Sequence, residues 1–247
     1  MDCREIAERY YDKWLGADGL FARGKGLEFI RSPERDVKQY GYSKRFDIFA
    51  LARPGRLAVS YGRGAEAGIA RLEALLGDCM EAERLKAALA EVYRANAAHS
   101  VKFVLDKLTD VETNARALTL EDGAAYMEFF AAAHPGADTG WLSEYWEEMA
   151  ADGAMFGAFA NGRLACVADA PGMPYMADEV QEIGVATLPE HRRRGYALEA
   201  CAAAAAHHIA NGKCPVWSAA FDNPASWGLA EKLGFVKYAD AIMLSLE

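Results

Sequence analysis

Pro189, three consecutive arginines at 192, 193 and 194, Gly195 and Ala197 form the cluster in this sequence whose residue types and spacing best suit a defined chemistry. They follow an apolar, β-branched run from Val180 to Leu188 and open an alanine-rich segment of high helix propensity. The pattern predicts strand, basic turn, helix. Such a turn aims backbone N–H groups and the positive end of the helix dipole at one point, which suits a pyrophosphate. Gly195 lets the backbone approach an anion without a Cβ in the way, Ala197 avoids crowding one turn later, and Arg192, Arg193 and Arg194 supply charge. A solvated basic loop is the plainer alternative. It is less easily sustained in a chain with 27 Lys and Arg against 36 Asp and Glu, net charge −9, where local basicity stands out.

Length and composition narrow the classes of function. The chain has 247 residues, 52% of them hydrophobic, enough for one large domain or two small ones around a sizeable core. Its negative charge excludes a surface built to wrap nucleic acid or to lie on an anionic membrane, since both need a basic field. A small or cationic partner fits better. The first residues are charged (Asp2, Arg4, Glu5) and lead into no secretory leader, and no apolar run approaches the roughly 20 residues of a membrane span, so the cytoplasm is expected. Cys3, Cys79, Cys166, Cys201 and Cys214 are odd in number, scattered and without a CxxC pair, which indicates buried thiols and neither a disulfide framework nor a zinc site. His191 and the pair His207 and His208 lack partners at ligand spacing, and no metal is expected.

The elements that must position the turn follow from periodicity. Ile6, Tyr10, Tyr11, Trp14 and Leu15 recur at helical spacing over residues 4 to 15; an aromatic stripe of this kind is more often core than pocket wall. Strand candidates Gly26 to Ile30, Arg45 to Ala52 and Arg56 to Tyr61 follow, the last two a hairpin around Pro54-Gly55. Helices are expected over 64 to 76 and 80 to 97, and a strand over Val101 to Leu105. The polar stretch 107 to 114 is the best domain boundary, dividing an N-terminal α+β domain, 1–112, from a second domain, 113–247. In the second domain a short strand over Arg116 to Thr119 and helices to about Ala133 and over Thr139 to Ala151 come first. A hairpin around Asn161-Gly162 precedes a loop rich in Pro, Gly and Met and then the Val180 to Ala197 stretch. A strand Pro215 to Phe221, a helix opened by Asp222-Asn223-Pro224, Gly234 as its stop and a final apolar strand complete the chain.

On these residues the second domain resembles the GNAT superfamily of acyl-CoA N-acyltransferases. Pro189-x-x-Arg192-x-x-Gly195-x-Ala197 matches its acyl-CoA signature, and Asn223-Pro-Ala-Ser226 with Lys232-Leu-Gly-Phe235 stands at the right separation in the right order of elements. The resemblance covers residues 115 to 247; the first 112 look like the extra α+β region of some subgroups. The implied fold is α/β, specifically α+β: a mixed, mostly antiparallel sheet flanked by helices, with the smaller N-terminal α+β domain shaping the acceptor site.

The resemblance also implies roles. Arg192 to Ala197, Tyr196 included, cradle the pyrophosphate of CoA; backbone groups of Val185, Ala186, Thr187 and Leu188 pair with the pantetheine arm as an added strand; Asn223 and Ser226 contact the same arm. An alkyl amine, with a pKa of about 10, must lose a proton before it attacks, and Glu182 is the expected general base, with Glu179 and Asp178 next. The Val185 N–H is the expected oxyanion donor. The tyrosine that usually protonates the departing thiolate is replaced by Ala230, which leaves Ser226 or water for that step. The expected activity is transfer of an acetyl group from acetyl-CoA to the primary amine of a small molecule, without a metal and with a homodimer left open. The alternatives are a non-catalytic acyl-CoA-binding or regulatory module, favoured by Ala230, and an antibiotic-modifying resistance enzyme.

Overall fold

Asp2 starts the first helix, α1 (Cys3–Leu15), by accepting from the N–H groups of Arg4 and Glu5 at 3.0 and 3.1 Å, and Gly16 ends it in the left-handed region at φ 75°. The structure is a computed structural model and describes residues 2–20 and 23–247. After α1 come β1 (Gly26–Arg31), β2 (Ile48–Arg53), β3 (Arg56–Tyr61), α2 (Ile69–Leu76), α3 (Ala82–Tyr93) and β4 (Ala98–Leu105). The chain continues through β5 (Arg116–Ala117), α4 (Gly123–Ala133), α5 (Leu142–Ala151), β6 (Phe156–Ala160), β7 (Arg163–Asp169), β8 (Val180–Glu182) and β9 (Gly184–Thr187). It closes with α6 (Tyr196–Ala210), β10 (Cys214–Ala220), α7 (Pro224–Lys232) and β11 (Phe235–Leu244). Asn161 and Gly162 turn the β6–β7 hairpin at φ 50° and 79°, the positive pair a tight hairpin needs.

Two sheets result, one in the order β1-β3-β2-β11-β4-β10-β8 and the other β5-β6-β7-β9. Among the described residues β1 with β3 and β8 with β10 pair in parallel and every other pairing is antiparallel, so the expected mixed, mostly antiparallel sheet is present. β4, from the N-terminal half, lies between β10 and β11, and β11 pairs on its other side with β2. The larger sheet therefore runs unbroken across the polar stretch at 107 to 114. The stretch Val180 to Leu188, expected as one strand, is divided at Ile183 into β8 and β9.

Alternation along the strands sorts the helices into two layers. Phe49, Leu51, Val104, Val216 and Ala241 pack against α1, whereas Val101, Phe103, Leu105, Trp217 and Ala219 pack against α6 and α7 on the other face. Ile48, Ala50, Val59 and Ile242 meet α2 and α3 on that second face. In the smaller sheet Leu164 and Val167 meet α4 and α5, while Cys166 and Ala168 meet α6. The aromatic stripe of α1 is core, as the sequence favours: Trp14 is 3% exposed, stacked on Phe49 at 4.7 Å and met edge-on by Tyr175 at 5.4 Å. Burying each such side chain contributes about 1.5–3 kcal/mol, more than exposed ion pairs such as Lys13 with Asp18 can. Among the described residues no helix is long and apolar enough to cross a membrane.

Gly234, at φ +94°, lets the chain turn from α7 into β11, and a Cβ there would lie 1.9 Å from the carbonyl oxygen of Lys107. Gly234→Ala combines a left-handed backbone with a backbone clash, and we expect a loss of about 3 kcal/mol. Urea unfolding followed by circular dichroism measures it. A loss below about 0.5 kcal/mol would mean that the segment at Lys107 yields freely.

Candidate active site

The site is built on the break at Ile183. β8 pairs with β10 as far as Glu182 opposite Val216, and the Ile183 N–H donates to the Val216 carbonyl at 3.2 Å. From Gly184 onward the chain pairs with β7 instead, while β10 continues beside β4. A gap therefore opens between β9 and β10. The Leu188 N–H donates to Ala165 of β7 at 3.0 Å, so by antiparallel alternation Gly184 and Ala186 also face β7. Val185 and Thr187 then turn their N–H and carbonyl groups into the gap, on the side of the Ile183 bond. Arg192 Nε reaches the Thr187 carbonyl from that side at 3.2 Å.

At the end of β9 the chain makes a short 3-10 turn, Pro189–His191, and then two left-handed residues, Arg193 at φ 62° and Gly195 at φ 93°. Gly195 caps α6, and a Cβ there would meet only Glu199 Oε1, at 3.9 Å. The glycine answers to backbone conformation and not to crowding. For Arg193 the same region costs about 1–2 kcal/mol, strain of the kind that collects at binding loops. The first internal bond of α6 runs from Glu199 N to Gly195 O at 3.1 Å, so the N–H groups of Tyr196, Ala197 and Leu198 precede it and point out of the helix end. Arg192, Arg193 and Arg194 are exposed around them. This is an anion-binding geometry.

The face of the sheet opposite α6 carries titratable groups. Glu182 is half-buried and its N–H meets Met173 Sδ at 3.2 Å. Its charge acts on Tyr10 and Tyr42, whose hydroxyl pKa values burial raises first and Glu182 second. It also acts on Lys102 of β4, whose ammonium is buried and donates to Ser218 Oγ at 2.7 Å; burial lowers the Lys102 pKa and Glu182 opposes that. Asp169, the last residue of β7, stands opposite Gly184, and its Oδ1 lies 1.9 Å from where a Gly184 Cβ would be. Burial raises its pKa to about 6, the Glu182 charge adds to this, and its own backbone N–H, His134 and Tyr145 oppose it.

The structure thus aligns Glu182, Val185 to Leu188 and Arg192 to Ala197 along one strand, turn and helix. Of the alternative bases, Glu179 is in an ion pair with Arg9 and Asp178 is exposed. Asn223 and Ser226 open α7, beyond the end of β10. Asn223 Oδ1 accepts from the Ser226 N–H at 3.2 Å as a helix cap, and Ser226 Oγ accepts from Trp217 Nε1 at 3.0 Å. Ala230 is fully buried in the core with α6. Lys102, Asp169, Tyr42 and Tyr145 escape sequence reasoning because nothing in their local pattern marks them; strand pairing brings in Lys102 and Asp169, and the packing of a loop and of α5 brings in Tyr42 and Tyr145. Among the described residues no group of three or more His, Cys, Asp or Glu could hold a metal ion.

Comparison with known proteins adds likeness to geometry. Residues 140–240 match the family model of the GNAT acetyltransferases. A GNAT-family acetyltransferase from Colwellia psychrerythraea shares the fold over 98% of this chain and 95% of that one, with TM-score 0.56 and 17% identity. A GCN5-related N-acetyltransferase from Sphaerobacter thermophilus does so over 68% and 58%, with TM-score 0.52 and 16% identity. A protein designated a GNAT-family acetyltransferase from Novosphingobium aromaticivorans is 25% identical over 60% of this chain and 64% of that one, short of two thirds, with TM-score 0.49. No curated protein matches the sequence.

Asp169 makes stability depend on pH. Its folded pKa of about 6 lies above the ordinary 3.8, so between those values the folded state holds a proton that the unfolded chain has released. Its contribution to stability is accordingly lost as pH rises through that window and is constant above it. Chemical denaturation of wild type and Asp169→Asn across the window should show the difference between them change below about 6 and level off above. A constant difference would contradict the assignment.

Proposed function

We propose, from the premise that the chain carries a GNAT acetyltransferase domain, that it transfers an acetyl group from acetyl-CoA to the primary amine of a small molecule by direct attack. The observation that carries this reading is the gap opened at Ile183, lined by the backbone of Val185 and Thr187 and closed at one end by the anion-binding turn. The pyrophosphate of CoA binds the N–H groups at the start of α6 with Arg193 and Arg194 beside them, and Tyr196 and Ala197 lie in that first turn. The pantetheine arm adds to β9 along Val185, Ala186, Thr187 and Leu188 as a strand would. Asn223 and Ser226 meet it from the far bank.

The reaction then follows from the groups at the fork. The acceptor enters as an ammonium ion and gives a proton to Glu182. The free amine attacks the thioester carbon, and the Val185 N–H, which faces the gap, stabilises the charge that develops on oxygen. The CoA thiolate departs; with a thiol pKa near 8.5 it is a tolerable leaving group, and Ser226 or water protonates it in place of the missing tyrosine at 230. The N-terminal domain, 1–112, contributes Tyr10, Tyr42 and Lys102 beside Glu182 and so shapes the acceptor site of the catalytic domain, 113–247. The protein works in the cytoplasm and needs no metal.

A second reading rests on Ala230: without the tyrosine hydroxyl the protein would bind acyl-CoA as a sensor and not turn it over. Steady thioester consumption with a panel of amines, antibiotics among them, separates the two and identifies a resistance enzyme if one is present. Isothermal titration with acetyl-CoA is the direct test, and absence of binding at millimolar ligand would sink both. Arg194→Ala and Gly195→Asp are each expected to weaken acetyl-CoA binding by about 10-fold or more, through loss of charge or through repulsion and strain at the cradle. Glu182→Gln should keep the affinity and lower kcat on the order of 100-fold.

A further inference from the structure

Building on the acyl-transfer reading, we propose that Asp169 is a second proton acceptor of the reaction, taking the proton shed by the acceptor nitrogen as the carbon–nitrogen bond forms, with Tyr145 positioning its carboxylate. Direct attack by an amine that arrives as an ammonium ion removes two protons from nitrogen. Glu182 accounts for the one lost before attack. When the nitrogen pair bonds to the carbonyl carbon, the π pair moves to oxygen and the nitrogen becomes cationic. Collapse returns the oxygen pair to carbon, breaks the carbon–sulfur bond and sends its electron pair away on sulfur. The second proton goes from nitrogen to Asp169 Oδ1 and from there to water, and the thiolate takes up one proton from Ser226 or water. One proton is released overall, and no oxidant or reductant is involved.

The geometry is specific to the place where this must happen. Asp169 and Gly184 are cross-strand partners, and such partners share a face of the sheet. The carboxylate lies over the first residue of β9, immediately beside Val185, the oxyanion donor of the mechanism above. Any side chain at 184 would displace it, since even a Cβ would lie 1.9 Å from Oδ1. Glu182 lies on the other side of Ile183, close enough for its charge to act on Asp169. The two carboxylates bracket the fork.

The Asp169 carboxylate is held by hydrogen bonds, from its own backbone N–H and from Tyr145, and not by an ion pair. Among the described residues no lysine or arginine pairs with it. The titratable groups facing it are Glu182 of β8, His134 beyond α4, Tyr126 of α4 and Tyr145 of α5, and its charge also acts on Cys166 and Cys201 across the sheet, on the α6 side. Of these Tyr145 turns its hydroxyl toward the carboxylate and favours its charged form, while burial and Glu182 favour the neutral one. The outcome, a carboxyl that titrates near about 6, suits a base that must be empty at neutral pH yet able to hold a proton.

The test is the pH dependence of turnover with acetyl-CoA and those amines of a primary-amine panel that the wild type acylates, with acetyl-CoA affinity measured in parallel by titration calorimetry. Asp169→Asn should keep that affinity, lower kcat on the order of 100-fold and lose the acidic limb of kcat/KM that the wild type shows near about 6. Tyr145→Phe should lower kcat by a smaller factor than Asp169→Asn does and move that limb to higher pH, because the carboxylate loses a donor that favours its charged form. This variant leaves the carboxylate in place, so it decides the matter if Asp169→Asn does not fold. A limb unmoved in Tyr145→Phe, or undiminished turnover in Asp169→Asn, overturns the proposal and leaves acyl transfer intact. A wild type that binds no acetyl-CoA, or acylates no amine, overturns the proposal and the acyl-transfer reading together.

Discussion

A single backbone bond, from the Ile183 N–H to the carbonyl of Val216, marks the last point at which the signature strand holds to β10. Everything at the site depends on the change of partner that follows. A continuous strand through Thr187 would use the backbone groups of Val185 and Thr187 inside the sheet and leave nothing for a ligand to pair with. Because the strand leaves β10 and turns to β7, those groups stay outside the sheet at the edge of a gap, with the Thr187 carbonyl accepting from Arg192 Nε. The break also sets directions: residues before it face α1 and the N-terminal aromatic core, and the turn after it delivers the start of α6 to the end of the same gap.

The charges are arranged around this break by sign. The exposed arginines at 192 to 194 stand at the far end, where an anion would lie on a helix terminus, and the carboxylates of Glu182 and Asp169 stand at the fork itself. Lys102, buried behind them, is held by Ser218 and offset by Glu182. A buried lysine on an interior strand would ordinarily be a liability. Here the neighbouring carboxylate of Glu182 works against the burial and favours the charged form.

Much of this was legible in the sequence, and for identifiable reasons. The helix α1, marked by apolar residues at helical spacing over 4 to 15, and the hairpin at Asn161-Gly162 are encoded within a few residues and could be read directly. The basic turn was legible too, because Pro189, the arginines and Gly195 are contiguous. The division at Ile183 was not: residues 180 to 188 read as one strand, Gly184 notwithstanding, and the break is imposed by competition between β7 and β10 for it. Asp169 and Lys102 were hidden for the same reason, being ordinary strand residues until pairing sets one opposite Gly184 and the other beside Ser218.

The position of β4 between β10 and β11 bears on how the chain comes to be folded at all. β4 is made early, but both of its neighbours are made last, and β2 also waits for β11. During synthesis the N-terminal half must therefore carry three unfilled strand edges, two of β4 and one of β2, until β10 and β11 leave the ribosome. Contacts of such long sequence separation are slow to form, and open edges are sticky while they wait. The penalty would fall on assembly and not on the finished protein: truncation of β11 should leave an aggregating chain even though no residue of the acyl-transfer machinery has been removed.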